Sequence, residues 1–335
     1  MSEPTIMTFD AARELAMAAM RAHGFGEPEA IDTVEALLNA ERDGLPSHGL
    51  SRLPFYLDQA ASGKVDATAV PRVEIDGAVV RVDACHGLAF PAIARGLAVG
   101  IDQVRASGLA AISIARSHHF GVAGAPVEAA ARQGLMALAF SNAPSAMAPW
   151  GGNRPLYGTN PIAFACPRRD AEPLLIDLSL SKVARGKVML AKKAGKQIPD
   201  DWALDVDGKP TTDPDAAIAG SMVPAGDAKG AALALMVELL TAGLAGSHFG
   251  FQASSFFEAE GEAPDTAHLI LLFDPARFSD GFLAHAETLF AAMLEQPGVR
   301  LPGERRHQLR REFDGRLRLP GELVAALERQ AGMTH

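Results

Sequence analysis

Apolar residues recur at helical spacing at the start of the chain. Ala12, Leu15, Ala16 and Ala19 share one face, and Gly24 closes that segment. Ile31, Val34, Leu37 and Leu38 form a second stripe, ended by Gly44. The period changes near Pro71, where 73–82 reads as a β-hairpin turning at Asp76-Gly77. Helical and strand patterns then alternate: helix over 89–106, strand over 109–115, a short helix over 127–132, and strands over 135–140, 161–166 and 174–178. A long apolar helix is predicted over 229–244 and a buried strand over 268–273. Such alternation predicts an α/β core. Segments 284–294 and 323–327 return to helix. The two chain ends are therefore expected to pack together, residues 1–70 with 280–335, as a helical unit around a central sheet domain over 71–279.

Between the second helix and the hairpin lies Ser47-His48-Gly49-Leu50-Ser51-Arg52-Leu53-Pro54-Phe55-Tyr56. A third helix from Ser47 to about Ala61, with Pro54 in its first turns, would place His48, Arg52 and Tyr56 at i, i+4 and i+8 on one face. Ser47 has the side chain of an N-cap. Imidazole exchanges a proton near neutral pH, and guanidinium grips a carboxylate through two parallel hydrogen bonds. The pair suits reduction of a small 2-oxo or 2-imino acid. Spacing alone favours the plainer reading, a solvated helix face.

Other motifs carry weaker chemistry. No Gly-x-Gly-x-x-Gly joins a strand to a helix, and there is no phosphate loop ending in Gly-Lys-Ser/Thr, so a bound dinucleotide needs another scaffold. Gly226-Asp227-Ala228-Lys229-Gly230 opens the long helix and is either an anion site or only a glycine-assisted helix start. Leu301-Pro302-Gly303-Glu304-Arg305-Arg306-His307 offers paired arginines to a phosphate or to solvent. Ser117-His118-His119-Phe120-Gly121 follows a strand, and the absence of a carboxylate or cysteine at ligand spacing argues against a metal there. Gly158-Thr159-Asn160-Pro161 brings a hydroxyl and an amide to the mouth of a strand, a position suited equally to a ligand contact and to an ordinary turn. Asp177-Leu178-Ser179 ends the next strand and precedes a cationic stretch, Lys182 and Arg185-Gly186-Lys187. The segment 250–257 is expected to shape the pocket.

The chain has 335 residues and a net charge of −9, with no basic stripe, which argues against a nucleic-acid partner. Cys85 and Cys166 are the only cysteines and imply no disulfide framework. No run approaches the roughly 20 apolar residues of a membrane span, and 1–10 has no basic leader. A cytoplasmic protein is expected, with no membrane partner.

In combination these motifs resemble the malate/L-lactate dehydrogenase family, which is unrelated to the Rossmann-type enzymes and includes sulfolactate, ureidoglycolate and Δ1-pyrroline-2-carboxylate/Δ1-piperideine-2-carboxylate enzymes. The resemblance runs from about Ala40 to Arg306. It implies an α/β fold with a non-Rossmann NAD(P)-binding sheet and a terminal helical unit used in homodimerisation. It places the proton donor on His48 and a polar relay partner on Ser47. Substrate contacts fall on Arg52, Thr159, Arg185 and Gly186. Cofactor contacts fall on His119, Phe120, Gly121, Val122, Ala123, Asp177, Leu178, Ser179, Ala228, Lys229, Pro302, Gly303, Glu304, Arg305 and Arg306. Two departures stand out. Imino-acid reductases of the family carry His-Gly-Asp where this chain has Arg185-Gly186-Lys187, so Lys187 occupies the place of the relay carboxylate. Leu180 replaces a threonine. Arg-Gly-Lys is frequent among the hydroxy-acid members. The implied function is an NAD(P)-dependent oxidoreductase, NADP ahead of NAD, acting on a 2-hydroxy acid of malate, lactate or sulfolactate type. The alternatives are reduction of a cyclic 2-imino carboxylate and a non-catalytic nucleotide-binding protein.

Overall fold

Thr8 opens the first helix by accepting the amide of Ala11 at 3.1 Å, and Gly24, at φ +81°, turns the chain out of it. The computed structural model describes residues 4–333. The N-terminal part runs β1 (Pro4–Thr8), α1 (Phe9–Ala22), α2 (Glu27–Arg42), two single 3₁₀ turns (Pro46–His48 and Leu50–Arg52) and α3 (Leu53–Ala61). The hairpin follows as β2 (Arg72–Asp76) and β3 (Val79–Asp83), then α4 (Ala89–Ser107), β4 (Leu109–Ser117), α5 (Gly124–Ala131), β5 (Met136–Ser141), β6 (Ile162–Cys166) and β7 (Leu174–Leu178). A smaller layer holds α6 (Arg185–Lys193), β8 (Ala203–Leu204), α7 (Pro214–Ala219) and β9 (Ser221–Met222). The chain ends with α8 (Ala228–Glu238), a π-turn (Leu239–Gly243), β10 (Thr266–Phe273), α9 (Phe282–Leu294), α10 (Glu304–Glu312), β11 (Arg316–Pro320) and α11 (Gly321–Gln330).

Seven strands form the central sheet in the order β2-β3-β4-β10-β5-β6-β7. The one parallel pair is β3 with β4, joined by α4; the other neighbours run antiparallel. Gly96 and Gly100 let α4 approach the sheet closely, since a Cβ at either would come within 2.8 and 2.5 Å of Ile112. β10 arrives late in sequence and inserts between β4 and β5, which accounts for its nearly continuous apolar run.

A second core joins the chain ends. Leu15, Met20, Leu37, Leu38, Leu50, Leu53, Tyr56 and Leu57 pack with Leu317, Leu319, Val324 and Leu327. The ends also meet through a strand pair that the sequence reading lacked: β1 lies antiparallel to β11, Thr8 opposite Arg316. Its signal is a five-residue alternation, buried Leu317 and Leu319 between exposed Arg316 and Arg318, too short to read alone. Two expectations need correction. The boundary at residue 280 does not follow the packing: Phe290 and Phe282 of α9 sit with Cys166, Leu174 and Leu301 against β6 and β7. Ile31, assigned to a buried stripe, is 47% exposed. Residues 1–3 and 334–335 of the expected helical unit lie outside the described residues.

Candidate active site

The helix expected from Ser47 does not form as one element. Pro46 starts the first 3₁₀ turn, Gly49 is extended (φ −95°, ψ −149°) between the two turns, and α3 begins at Leu53 with Pro54 in its first turn. Ser47 is therefore not an N-cap; its Oγ lies 3.1 Å from His48 Nδ1. Glu41, near the end of α2, explains the break. Its Oε1 accepts the Leu50 amide at 2.8 Å, and a Cβ on residue 49 would fall 2.2 Å from that oxygen. Burial pushes the Glu41 carboxyl up to about 7.

His48 and Arg52 still converge. Arg52 Nε donates to Ser47 O at 2.7 Å, and the guanidinium lies 4.5 Å above the Phe257 ring. Its Nη1 is buried without a hydrogen-bond partner. Burial lowers the Arg52 pKa, so this cation lacks the anion that would compensate its desolvation. The His48 ring stacks on His119 with centroids 5.5 Å apart. His48 is held down at about 4, chiefly by burial and next by Arg52; Asp177 pulls upward and Arg306 downward, so these charges lie close to the ring. The two adjacent histidines both reach α3. His118 Nε2 lies 2.7 Å from Gln59 Oε1, and His119 Nδ1 lies 2.7 Å from Tyr56 Oη. Phe256 closes on both rings, at 5.0 and 5.3 Å.

Beside these groups lies a set suited to phosphate. Asp177 Oδ2 accepts the Gly124 amide at 3.1 Å and Arg306 Nη2 at 2.9 Å, while Arg306 Nη1 is buried with no partner. A Cβ on Gly124 would strike Arg306 Nη1 at 2.7 Å and Asp177 Oδ2 at 2.8 Å, so the glycine lets this ion pair lie against the backbone. Gly121, at φ +74°, leads from His119 and Phe120 through Val122 and Ala123 into α5. Gly303, at φ +93°, starts α10 at Glu304 against Leu175, whose amide donates to Pro302 O at 3.1 Å. The Thr159 carbonyl accepts the Leu180 amide at 2.8 Å, and Leu180 O accepts the Ala225 amide at 2.7 Å. These bonds bring the 158–161 turn, the Asp177-Leu178-Ser179 strand end and the start of α8 at Ala228-Lys229 together. The orphaned guanidinium nitrogen of Arg306, beside the Gly121 turn, fits a dinucleotide phosphate.

Not every expected residue joins the cleft. Lys187 is exposed and lies over Trp202 at 5.9 Å; among the described residues no contact links it to Ser47 or His48. Lys182 is exposed and pairs with Asp201 at 2.5 Å. Arg305 and Lys229 are exposed, and Glu304 pairs with Arg311 at 2.6 Å. Gly186 lies exposed in the first turn of α6, while Arg185 is half-buried and donates to Ser145 O at 3.3 Å.

Sequence reasoning assigned no role to Glu238. This buried carboxylate accepts from Asn160 Nδ2 at 2.9 Å, Gly250 N at 3.0 Å, Gly158 N at 3.3 Å and Asn142 Nδ2 at 3.3 Å, tying three loops to α8. A charged residue ending an apolar helix was the available signal.

A model of the malate/L-lactate dehydrogenase family matches residues 7–328. The chain belongs to that family. It is therefore an oxidoreductase. Among the family's members, a (2R)-3-sulfolactate dehydrogenase (NADP(+)) from Chromohalobacter salexigens is 72% identical over 320 residues, 96% of each chain. The crystal structure of a Δ1-piperideine-2-carboxylate reductase from Pseudomonas syringae pv. tomato superposes with TM-score 0.90 at 38% identity, covering 98% of this chain and 100% of that one. A sulfolactate dehydrogenase from Methanocaldococcus jannaschii gives TM-score 0.90 at 26% identity, covering 98% and 97%.

Proposed function

We propose that the protein interconverts (2R)-3-sulfolactate and its 2-oxo acid with NADP. The observation that carries this reading is the 72% identity, over 96% of both chains, to an enzyme named for that reaction. The site chemistry supports it. The under-compensated Arg52 suits a carboxylate, and the half-buried Arg185, with no anion of its own among the described residues, is the group proposed for a second anion, which favours a sulfonate-bearing acid over a neutral ring. The departure at Arg185-Gly186-Lys187 from the His-Gly-Asp of the imino-acid reductases points the same way.

The dinucleotide, when bound, supplies or accepts the hydride. Arg306 and the Gly121 turn are proposed to hold its phosphates. Arg52 fixes the C1 carboxylate and so orients C2, with Thr159 as a further contact. His48 takes the hydroxyl proton in oxidation and returns it in reduction, with Ser47 at its Nδ1. Lys187 has no part in this proton path. Arg185 is the proposed sulfonate contact.

We further propose a homodimer. An apolar row on α8 and its π-turn, Leu233, Leu235, Met236, Leu239 and Leu244, is 36–67% exposed, as expected of a surface covered by a second copy. The terminal helical unit is proposed as the other dimer surface. No helix among the described residues is long and apolar enough to cross a membrane, and a cytoplasmic location is proposed.

The test is oxidation of NADPH and NADH with 3-sulfopyruvate, oxaloacetate, pyruvate and cyclic 2-imino acids. Turnover of 3-sulfopyruvate with NADPH at a kcat/KM at least tenfold above the others supports the reading. A cyclic imine as best substrate overturns it.

A further inference from the structure

We infer that Tyr56 locks His119 in the tautomer that carries its proton on Nε2, so that His119 presents a neutral N–H donor to an oxygen of the ligand in the cleft. The inference rests on the dehydrogenase reading only for the identity of that ligand. Tyr56 is fully buried, and its Oη has one hydrogen-bond partner among the described residues, His119 Nδ1 at 2.7 Å. Two arrangements satisfy that distance. If Nδ1–H donated to Tyr56, the phenolic proton would be buried with no acceptor, an unmade bond costing about 1–3 kcal/mol. If Tyr56 donates to Nδ1, only an oxygen lone pair goes unused, a smaller loss. The second arrangement wins and leaves the proton on Nε2.

The surroundings exclude the doubly protonated ring. Burial comes first, then Arg52, His48 and His118, all of which hold His119 well below the ordinary histidine value. Burial likewise pushes the Tyr56 phenol up, so it keeps its proton. Nε2 has no hydrogen-bond partner among the described residues, yet it is not one of the buried orphaned atoms, so it faces open space. That space is the cleft: the ring is half-buried, stacks on His48 and meets Phe256 edge to face. His118 is the internal contrast. Its Nε2 donates to Gln59 Oε1, and its Nδ1 is sealed without a partner, so that ring offers nothing to a ligand. Tyr56 is thus a positioning residue acting through His119, and the α3 residues three apart sort the two histidines into a structural and a ligand-facing one. The acceptor is an sp² or alkoxide oxygen: the C2 oxygen of the acid or the carboxamide oxygen of the nicotinamide.

Long-range ¹⁵N–¹H correlation spectra of ¹⁵N-histidine-labelled enzyme at pH 7, with His119 assigned through His119→Gln, read the tautomer directly. The expected result is a proton on Nε2 and an acceptor-type Nδ1 in the wild type, and a mixture of tautomers in Tyr56→Phe. In kinetics Tyr56→Phe loses roughly tenfold in kcat/KM, the weight of one hydrogen bond. A loss carried by the KM for NADPH assigns the carboxamide, and one carried by kcat or the KM of the acid assigns the C2 oxygen. A wild-type spectrum with the proton on Nδ1 or on both nitrogens, or a Tyr56→Phe enzyme with unchanged kinetics, overturns the inference. The wild-type spectrum requires no variant to fold. It also stands if no acid of the panel is turned over, which separates this inference from the proposed function.

Discussion

His48, the proposed proton carrier, is held neutral. Dry surroundings and the Arg52 charge keep it neutral above about pH 4 in the free protein. Oxidation needs the neutral ring, so kcat/KM for the hydroxy acid is expected to stay flat through neutrality and to fall at the acid end. Reduction needs the imidazolium, so its kcat/KM declines as pH rises; the negative charge of bound ligands moves the proton affinity back up. Steady-state rates in both directions from pH 4 to 9 check the two signs. His48→Gln is expected to lose about 10²–10⁴ in kcat and to flatten both profiles. Arg52→Lys keeps the charge but loses the planar fork, so the KM of the acid is expected to rise about 10–100-fold, the weight of a charged hydrogen bond, with little change in the KM of NADPH. Gly49→Ala tests the break between the turns: its Cβ displaces the Glu41 carboxylate from the Leu50 amide, and activity is expected to fall with the fold retained by circular dichroism.

Among the elements, α8 does two things. Its inner face ends in Glu238, whose four donors hold the 142–145, 158–160 and 250 loops around the cleft. Glu238→Gln puts an amide N–H against donors, so a loss of about 1–3 kcal/mol of stability is expected, with a raised KM for the acid; thermal unfolding and kinetics measure both. Its outer face is apolar. Leu235→Glu with Leu239→Glu is expected to convert a dimer to monomers, read as a halved mass by light scattering; an unchanged mass removes this face from the interface. The neighbouring segment is held differently. Lys64 Nζ donates to Ser255 O at 2.7 Å and Glu258 O at 2.9 Å, which fixes the loop carrying Phe256 and Phe257 against His119 and Arg52.

One ion network fastens the joined chain ends to the helices of the sheet domain. Arg310 of α10 grips Asp43 at the end of α2 with bonds of 2.6 and 2.5 Å and also pairs with Glu128 of α5. Arg132 pairs with the same Glu128 at 2.8 Å. Arg310→Met leaves two buried carboxylates with fewer partners, and about 3 kcal/mol or more of stability is expected to be lost. Glu128 is worked on by burial, which raises its pKa, and by Arg310 and Arg132, which outweigh burial and lower it. The folded value lies below the unfolded one, so its contribution is present above the unfolded pKa and is lost as pH falls through the folded one. Urea unfolding at pH 7 and pH 4 is expected to show a smaller acid penalty in Glu128→Gln than in the wild type.

Element types were legible wherever a period ran long enough. The α4 and β4 patterns sit within a few residues of their elements, the helix expected over 229–244 is divided into α8 and its π-turn, and the Asp76-Gly77 turn closes its hairpin. The candidate site was legible in part, because the Ser47-His48 to Arg52 and His118-His119 motifs are each written within a few neighbouring residues. Distances across the chain were not. The β1–β11 pair joins positions more than 300 apart, the insertion of β10 between β4 and β5 has no local mark, and the Tyr56–His119 bond spans 63 positions. The replacement of one helix by two 3₁₀ turns depends on a carboxylate arriving from α2. Periodicity records which face a residue turns toward the interior, and it is written in neighbours along the chain. Which face meets which, and therefore which proton sits on which nitrogen, is set by packing and desolvation, and these exist only once distant segments are in contact.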